Sequence, residues 1–320
     1  MLAEYATGSY SDFRIPGIVV TERGTLLRYC ECRRDSSDWA DIDIKVSRSE
    51  DMGKSWETVL LIESGGNTMN NPVMFVNGDE LIFLYCKNYK EIWKYTSEDD
   101  GKTFGNNERV DFESSVDFFY NVVAVGPGHG IVHNGRLIVP VWFAYNKEDE
   151  KAHAPSLVST FFSDDGGKTW RVGETVVAEN LINANESALA VTADGDFLMS
   201  IRHSGNGIKK RALARSSDGI SEWHDLRYAD ALPDPICMGS MTHRDGVIYH
   251  VNCASESGRT NLTVKISEDC FETYRPVFVS EPAGYSDIAL LGDKMCVFYE
   301  KVNPENSRFE LFFEVLDIDG

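Results

Sequence analysis

The sequence predicts an all-β chain, and three observations carry that expectation. The octapeptide SEDMGKSW at 49–56 returns as SEDDGKTF at 97–104 and as SDDGGKTW at 163–170, with decayed copies SSDGISEW from Ser216 and SEDCFETY from Ser267. Six times, a short turn of Gly, Asn or Asp runs into an apolar stretch rich in β-branched and aromatic residues, the composition of strands. No comparably long stretch sustains an apolar period of 3.6 residues. A chain that repeats itself every few tens of residues uses one supersecondary unit many times. Units of roughly 40–50 residues, each a four-stranded sheet, predict a six-bladed β-propeller. As one domain it spans residues 1–320.

The first unit opens on FRIP at Phe13 to Pro16 and runs from Gly24 into TLLRYCEC, with the first octapeptide downstream. Asn77-Gly78 leads into DELIFLYC in the second unit, and Asn134-Gly135 into RLIVPVWFAY in the third. The fourth runs from Asp194-Gly195 into DFLMSIR and the fifth from Asp245-Gly246 into VIYHVNC. Their octapeptides are the decayed ones, and the fifth has Phe271 where Gly is expected. Gly292-Asp293 opens KMCVFYE in the sixth, and the last strand, RFELFFEVL at 308–316, is expected to supply the closing partner for the first blade. Each octapeptide has a legible turn chemistry. Its Asp accepts hydrogen bonds from nearby backbone N–H groups, its Gly admits positive φ, and its final aromatic ring packs under the loop.

With 51 acidic against 31 basic residues the net charge is −20, which argues against a general affinity for nucleic acid or anionic membrane. Any anionic ligand must find a local basic pocket. No apolar run is long enough to span a bilayer, and MLAEYATGSYSDF lacks the basic and apolar regions of a signal peptide. The chain as written is expected in the cytoplasm, or secreted with its export signal removed. Seven cysteines, an odd number lying mostly within the strands, read as buried reduced thiols and not as a disulfide framework. Cys30 and Cys32 share one strand face, but no second C-x-C or C-x-x-C pair completes a tetrahedral site. Neither a metal nor another cofactor is expected. The glycines of VGPGHG lack the spacing of a dinucleotide fingerprint. Asn185-Glu-Ser and Asn261-Leu-Thr, with no secretory signal, read as chance matches to the glycosylation sequon.

Propellers act at the mouth of their central channel, so the informative residues are the polar ones that interrupt strands. Glu31 and Arg33 lie in the first unit's apolar strand, where a buried Arg or Glu needs a partner. Arg14 precedes that strand, Arg202 ends LMSIR in the fourth unit, and Arg259 sits in SGRTNLTVKIS. Three arginines from three different blades converge only at the axis. Planar guanidinium forks bind carboxylate bidentately, so such a convergence is a pocket for a negatively charged planar group.

Essentially the whole chain resembles a known family. FRIP, CECRRDSSDWADIDIKVSRSEDMGKSW, GPGHGI at Gly126 to Ile131, NESALAVTADGDFLMSIR, NCASESGRTNLTVKIS and GYSDIALLGDKMCVFYE occur in the order found in exo-α-sialidases, six-bladed propellers with Asp-box repeats. The octapeptides alone also decorate other propellers; the ordered set is the specific signal. The resemblance implies that Arg14, Arg202 and Arg259 grip the substrate carboxylate and that Glu300 orients Arg14 through a buried ion pair, with Glu31 and Arg33 in the same substrate-binding set. It implies Tyr285 as nucleophile, Glu186 as its activating partner, and Asp38, five residues after Arg33, as acid/base. Asp35 and Asp41 lie close enough in sequence to stay open for that last role. His129 stands where the family often has Arg. The implied partner is a sialylated glycan or free sialoside, hydrolysed with retention through a tyrosyl-enzyme intermediate. A hydrolase for glycosides of a related ulosonic acid, Kdn or Kdo, is the near alternative, because it presents the same carboxylate to the same arginines. A sugar-binding propeller without turnover is the more distant one; it needs the arginines but not the nucleophile.

The chemistry supports those roles. The carbon under attack in a sialic acid already carries a carboxylate. At ~4 Å and an effective dielectric near 20, a second negative group there costs about 4 kcal/mol, roughly three powers of ten in rate. A neutral phenol avoids that repulsion. Its ordinary pKa of about 10 keeps it protonated, so a general base must take the proton as attack proceeds. The acid must carry a proton at working pH, which leads to the expectation of a raised pKa for Asp38.

Overall fold

The computed structural model describes residues 2–4, 10–113 and 118–319, the first three as backbone alone. The described residues contain no helix; their strands form six sheets, the blades of a propeller. The first blade runs Asp12–Val20, Leu26–Arg33, Ile42–Ser49, Glu57–Ile62 from axis to rim. The second runs Met69–Asn77, Glu80–Lys87, Glu91–Ser97, Gly105–Val110. The fourth (Ser187–Val191, Phe197–Ile201, Lys210–Ser216, His224–Pro233) and the fifth (Ser240–Arg244, Val247–Cys253, Leu262–Ser267, Arg275–Ser280) repeat the antiparallel meander. The third departs from it. Its innermost strand is split into Val122–Val125 and Ile131–His133, both paired with Arg136–Ala144, and Phe112–Glu113 joins its rim strand Trp170–Val172 in parallel.

Closure differs from the sequence expectation. The strand Phe309–Asp317 is the third strand of the sixth blade, after Ser286–Leu291 and Lys294–Val302, and does not complete the first blade. The rim strand of the sixth blade is Leu2–Glu4, so the two ends of the chain meet in one sheet, with Ala3 opposite Phe312. The reason is geometric: Phe309–Asp317 continues the meander from Lys294–Val302, which leaves its outer edge free for a strand from the other end of the chain.

All six turn-to-strand junctions lead into the second strand of a blade. Those strands lie between neighbouring blades and are buried on both faces, Leu26–Arg33 at every residue. That is why they read as unbroken apolar runs and not as alternation. Rim strands such as Glu57–Ile62 stay largely exposed. Among the described residues the buried apolar side chains gather into six clusters, one in each seam between blades. At Asn134-Gly135 (φ 50° and 79°) and Asp245-Gly246 (φ 53° and 80°) both central residues of the hairpin are left-handed, the type I′ geometry that matches strand twist.

The octapeptides join the third strand of a blade to the fourth. In the first copy, Asp51 Oδ1 accepts from Ser49 Oγ (2.8 Å) and from the Ser55 N–H (2.9 Å), while Trp56 Nε1 donates to the Gly53 carbonyl (3.1 Å). A Cβ on Gly53, at φ +79°, would lie 2.1 Å from Phe313 Cε1 of the sixth blade, so the turn also seals a seam. In the fifth copy Phe271 takes the left-handed conformation itself, φ 71°, and its N–H still donates to Ser267 Oγ at 2.8 Å.

This meander puts the first hairpin turn of every blade and every octapeptide on one face. The other face collects the starts of the innermost strands, the ends of the second strands and the loops that follow them. On that face the polar residues converge.

Candidate active site

One cavity is lined by Arg14, Arg33, Asp38, Glu186, Arg202, Arg259 and Tyr285, with Ile15, Asn71, Tyr89, Trp142, His153 and Asn185 completing its wall. Arg14, Asn71, Glu186 and Tyr285 come from the starts of innermost strands; Arg33, Trp142 and Arg202 come from the ends of second strands. Asp38, Tyr89, His153 and Arg259 come from the loops that follow. All six blades contribute.

Tyr285 is the centre. Its hydroxyl donates to Glu186, with the two carboxylate oxygens at 2.9 and 2.7 Å, and accepts from Arg202 Nη1 at 2.8 Å. Arg202 also pairs with Glu186. The guanidinium carbons of Arg14, Arg202 and Arg259 stand 5.1, 5.9 and 5.1 Å from the centroid of the Tyr285 ring. Burial pushes the Tyr285 phenol well above its ordinary pKa, with Arg202 opposing and Glu186 adding to the rise. The hydroxyl therefore keeps its proton unless a neighbour takes it, and Glu186 is in place to accept.

Glu300 is fully buried behind this centre. Its carboxylate accepts from Arg14 Nε (3.1 Å) and Nη2 (3.2 Å), from the Ile15 N–H (2.9 Å) and from the Tyr285 N–H (3.1 Å). Burial would raise its pKa, but Arg14 and Arg259 outweigh that and hold it below the ordinary carboxylate value. Gly284 makes room for it: a Cβ there would sit 2.8 Å from Glu300 Oε2. Ile15, at φ 56°, aims its N–H at the same carboxylate. Such strain in a β-branched residue is held by the contacts around it.

Glu31 does for Arg33 what Glu300 does for Arg14. It accepts from Arg33 Nε at 2.8 Å and from the Asn71 N–H at 2.9 Å. Neither Glu31 nor Glu300 lines the cavity; both sit behind an arginine and set its direction. The partners expected for Glu31 and Arg33 in an apolar strand are each other, with Asp38 as the second partner of Arg33.

Among the three candidate aspartates only Asp38 lines the cavity. Its side chain is 47% exposed, and its Oδ1 accepts from Arg33 Nη1 at 2.7 Å. Asp35 caps the Ser37 N–H at 2.8 Å, and Asp41 pairs with Arg34 at 3.0 Å. The expectation of a raised pKa for Asp38 is corrected. Burial would raise it, but the Arg33 guanidinium, with Arg14 and His153 beyond it, lowers it below the ordinary Asp value. The ion pair wins because it is direct and charge-assisted while the burial is partial.

Arg259 differs from the other two arginines. Among the described residues no carboxylate pairs with it; its contact is the face of Tyr285. Arg202 Nε is likewise buried without a partner. The cavity therefore presents guanidinium edges with no anion on them. Another part of the wall is aromatic: Tyr89, Trp142 and His153 pack in tilted and edge-on contacts at 4.9–6.2 Å, and among the described residues Trp142 Nε1 and His153 Nε2 are buried without partners. Burial lowers the His153 pKa, so the ring is neutral at neutral pH.

The sequence does not single out Asn71, Tyr89, Trp142 or His153, and Asn185 reads in it only as part of a sequon. Asn185 Oδ1 accepts from the Glu186 N–H at 2.9 Å, inside the cavity wall. The polar run NES was the available signal; the aromatic residues gave none, since they look like ordinary strand and turn residues. His129 of GPGHGI lies at the far mouth of the channel, paired with the fully buried Asp287 at 2.8 Å. Among the described residues no group of three or more His, Cys, Asp or Glu gathers to hold a metal. No disulfide joins the seven described cysteines; six are buried and Cys270 is half-buried.

The chain is similar to known proteins over most of its length. Residues 34–297 match the BNR repeat-like domain. That match begins after Arg14, Glu31 and Arg33 and ends before Glu300, so the structure is what brings those four to the rest. The chain is 28% identical over 307 residues to a sialidase of Bacteroides fragilis, covering 82% of this chain and 54% of that protein. It therefore spans about half the length of that relative. It is 28% identical over 338 residues to an exo-alpha-sialidase of Aspergillus fumigatus, covering 89% of this chain and 77% of that one. In three dimensions it superposes on the Hadza microbial sialidase with a TM-score of 0.83 at 22% identity, covering 99% of this chain and 68% of that one. The chain belongs to the BNR repeat-like domain family, and within it the relatives it is similar to are sialidases.

Proposed function

We propose that this chain hydrolyses terminal sialic acids from glycoconjugates with retention, through a covalent intermediate on Tyr285. The observation that carries this reading is the Tyr285–Glu186 pair, at 2.7 Å, beneath three guanidinium groups of which Arg259 has no described carboxylate partner. A pocket that only bound a carboxylate would need the arginines, not a phenol backed by a base.

In this reading the substrate carboxylate settles on Arg14, Arg202 and Arg259, which places the anomeric carbon over the Tyr285 oxygen. Glu186 takes the phenolic proton as the C–O bond to tyrosine forms, and Asp38 gives a proton to the departing sugar oxygen. Water deprotonated by Asp38 then attacks the anomeric carbon, tyrosine leaves and recovers its proton from Glu186, and two displacements restore the starting configuration. Tyrosine-nucleophile sialidases are a known departure from the scheme with two catalytic carboxylates. In the free protein Arg33 favours the ionised form of Asp38. The incoming sugar excludes water from that half-exposed carboxyl and brings a second negative charge, and both raise its proton affinity. The aromatic wall with the unpaired Trp142 N–H suits an N-acyl group, its methyl against the rings and its carbonyl toward the donor.

Incubation with a 2,3-difluoro sialic acid, followed by peptide mass mapping, is expected to find the glycosyl adduct on Tyr285. A catalytically competent adduct on any other residue overturns the assignment. Assays with Neu5Ac, Kdn and Kdo glycosides side by side decide the sugar. Cleavage of Kdo glycosides with none of Neu5Ac glycosides would keep the mechanism and replace the substrate.

A further inference from the structure

Asp38 lies in a polar connection, RDSSDWAD at 34–41, between Leu26–Arg33 and Ile42–Ser49. Exposed loops of this kind are where local opening is easiest, yet an acid must stand within hydrogen-bond reach of the leaving oxygen. Three ties hold residues 38–40 of this connection to the rest of the protein. Ala40 O accepts from Thr68 Oγ1 of the second blade at 2.6 Å. Asp38 itself meets Arg33 through one oxygen. The third tie is Trp39: its indole Nε1 donates to the Lys151 carbonyl of the third blade at 3.1 Å. Its ring packs on Tyr89 of the second blade, centroids 4.8 Å apart, and on His153 of the third at 5.9 Å. The Lys151 ammonium sits 5.8 Å from the same ring.

The second tie cannot do the work of an acid. It is strong only while Asp38 is charged, and an acid must be neutral at the moment it acts. The Trp39 contacts do not depend on the charge of Asp38. We propose that Trp39 is a positioning residue for Asp38: a latch from the first blade across the second to the third that keeps the carboxyl over the leaving oxygen when protonation weakens its pairing with Arg33. The inference rests on Asp38 being the acid of the proposed reaction.

The test uses Trp39→Phe, which keeps ring surface and removes the N–H, and Trp39→Ala, which removes both, with Asp38→Asn alone and combined with Trp39→Ala. Each is assayed on a sialyl-galactoside, whose leaving oxygen needs a proton, and on an aryl sialoside, whose phenol needs little help. Trp39→Ala is expected to lower kcat about 30-fold or more on the first and under about threefold on the second, with Trp39→Phe intermediate. In the Asp38→Asn background it should add no further loss on the galactoside, and backbone amides of residues 35–40 should exchange faster in both Trp39 variants. Equal losses on the two substrates, a loss that multiplies with Asp38→Asn, or unchanged amide exchange would overturn the latch. If Asp38→Asn itself shows no leaving-group dependence, the acid reading falls and the proposal with it. If Asp38→Asn shows that dependence and the Trp39 variants do not, the acid stands and the latch alone is wrong. Trp39→Phe, which retains the packing, keeps the test informative should Trp39→Ala fold poorly.

Discussion

Of the three arginines around Tyr285, Arg14 grips Glu300 and Arg202 grips Glu186, while Arg259 pairs with no described carboxylate. This difference separates their expected phenotypes. Arg259→Ala removes a ligand for the substrate and no internal ion pair, so kcat/KM should fall about 10–100-fold, the loss of one charge-assisted contact of about 1.5–3 kcal/mol, with the melting temperature nearly unchanged. Arg14→Ala should also unsettle the fold, because it strands a buried Glu300 charge at a cost of about 3–5 kcal/mol. Steady-state kinetics with thermal melts on both variants check this. A large drop in stability for Arg259→Ala would give that residue a structural role. Much of this centre was legible in the sequence, because a buried Arg or Glu in an apolar strand demands a partner. The choice among Asp35, Asp38 and Asp41 was not, since all three are polar-loop aspartates and only the direction of each carboxylate distinguishes them.

The octapeptide turn is the element that announces the fold, and it lies on the face away from the chemistry. Its Asp carboxylates receive hydrogen bonds from the Ser or Thr and the backbone around them, which lowers Asp51 and Asp99 from 3.8 to about 2 and Asp165 further still. The folded value lies below the unfolded one. Each turn therefore contributes its full stabilisation above about pH 4, and loses it as pH falls through the folded value near 2. Urea unfolding is expected to show a plateau at neutral pH and a decline between about pH 4 and 2. Asp165→Ala should lower stability by about 1 kcal/mol, since the turn is solvent-exposed, flatten part of that decline and leave the activity of the folded protein intact. An activity loss in Asp165→Ala without a change in melting would place chemistry on the wrong face. The repeats were readable because each turn's bonds are local; the fifth copy kept them despite Phe271 at the Gly position.

The rim strand of the sixth blade is three residues long. Leu2, Ala3 and Glu4 pair with Phe313, Phe312 and Leu311, and so complete the sixth blade from the opposite end of the chain. Removing residues 1–4 should cost about 1–3 kcal/mol in lost ladder bonds and bare the edge of Phe309–Asp317 to other chains. Urea midpoints and light scattering of the truncated protein measure this; an unchanged midpoint would mean that the edge strand contributes nothing. The sequence by itself determined the strand class, the blade count, the turns and the identity of the charged residues, because these depend on local conformational preference and on the aversion of apolar surface and lone charges to the wrong solvent. The tertiary structure decided which end of the chain closes which blade and which aspartate faces the cavity. It also decided that Arg33 holds Asp38 ionised in the free protein and that Tyr89, Trp142 and His153 form one wall. Those outcomes depend on residues far apart in sequence meeting at the axis, where distance and direction set pairing and charge, and neither quantity is written in local order along the chain.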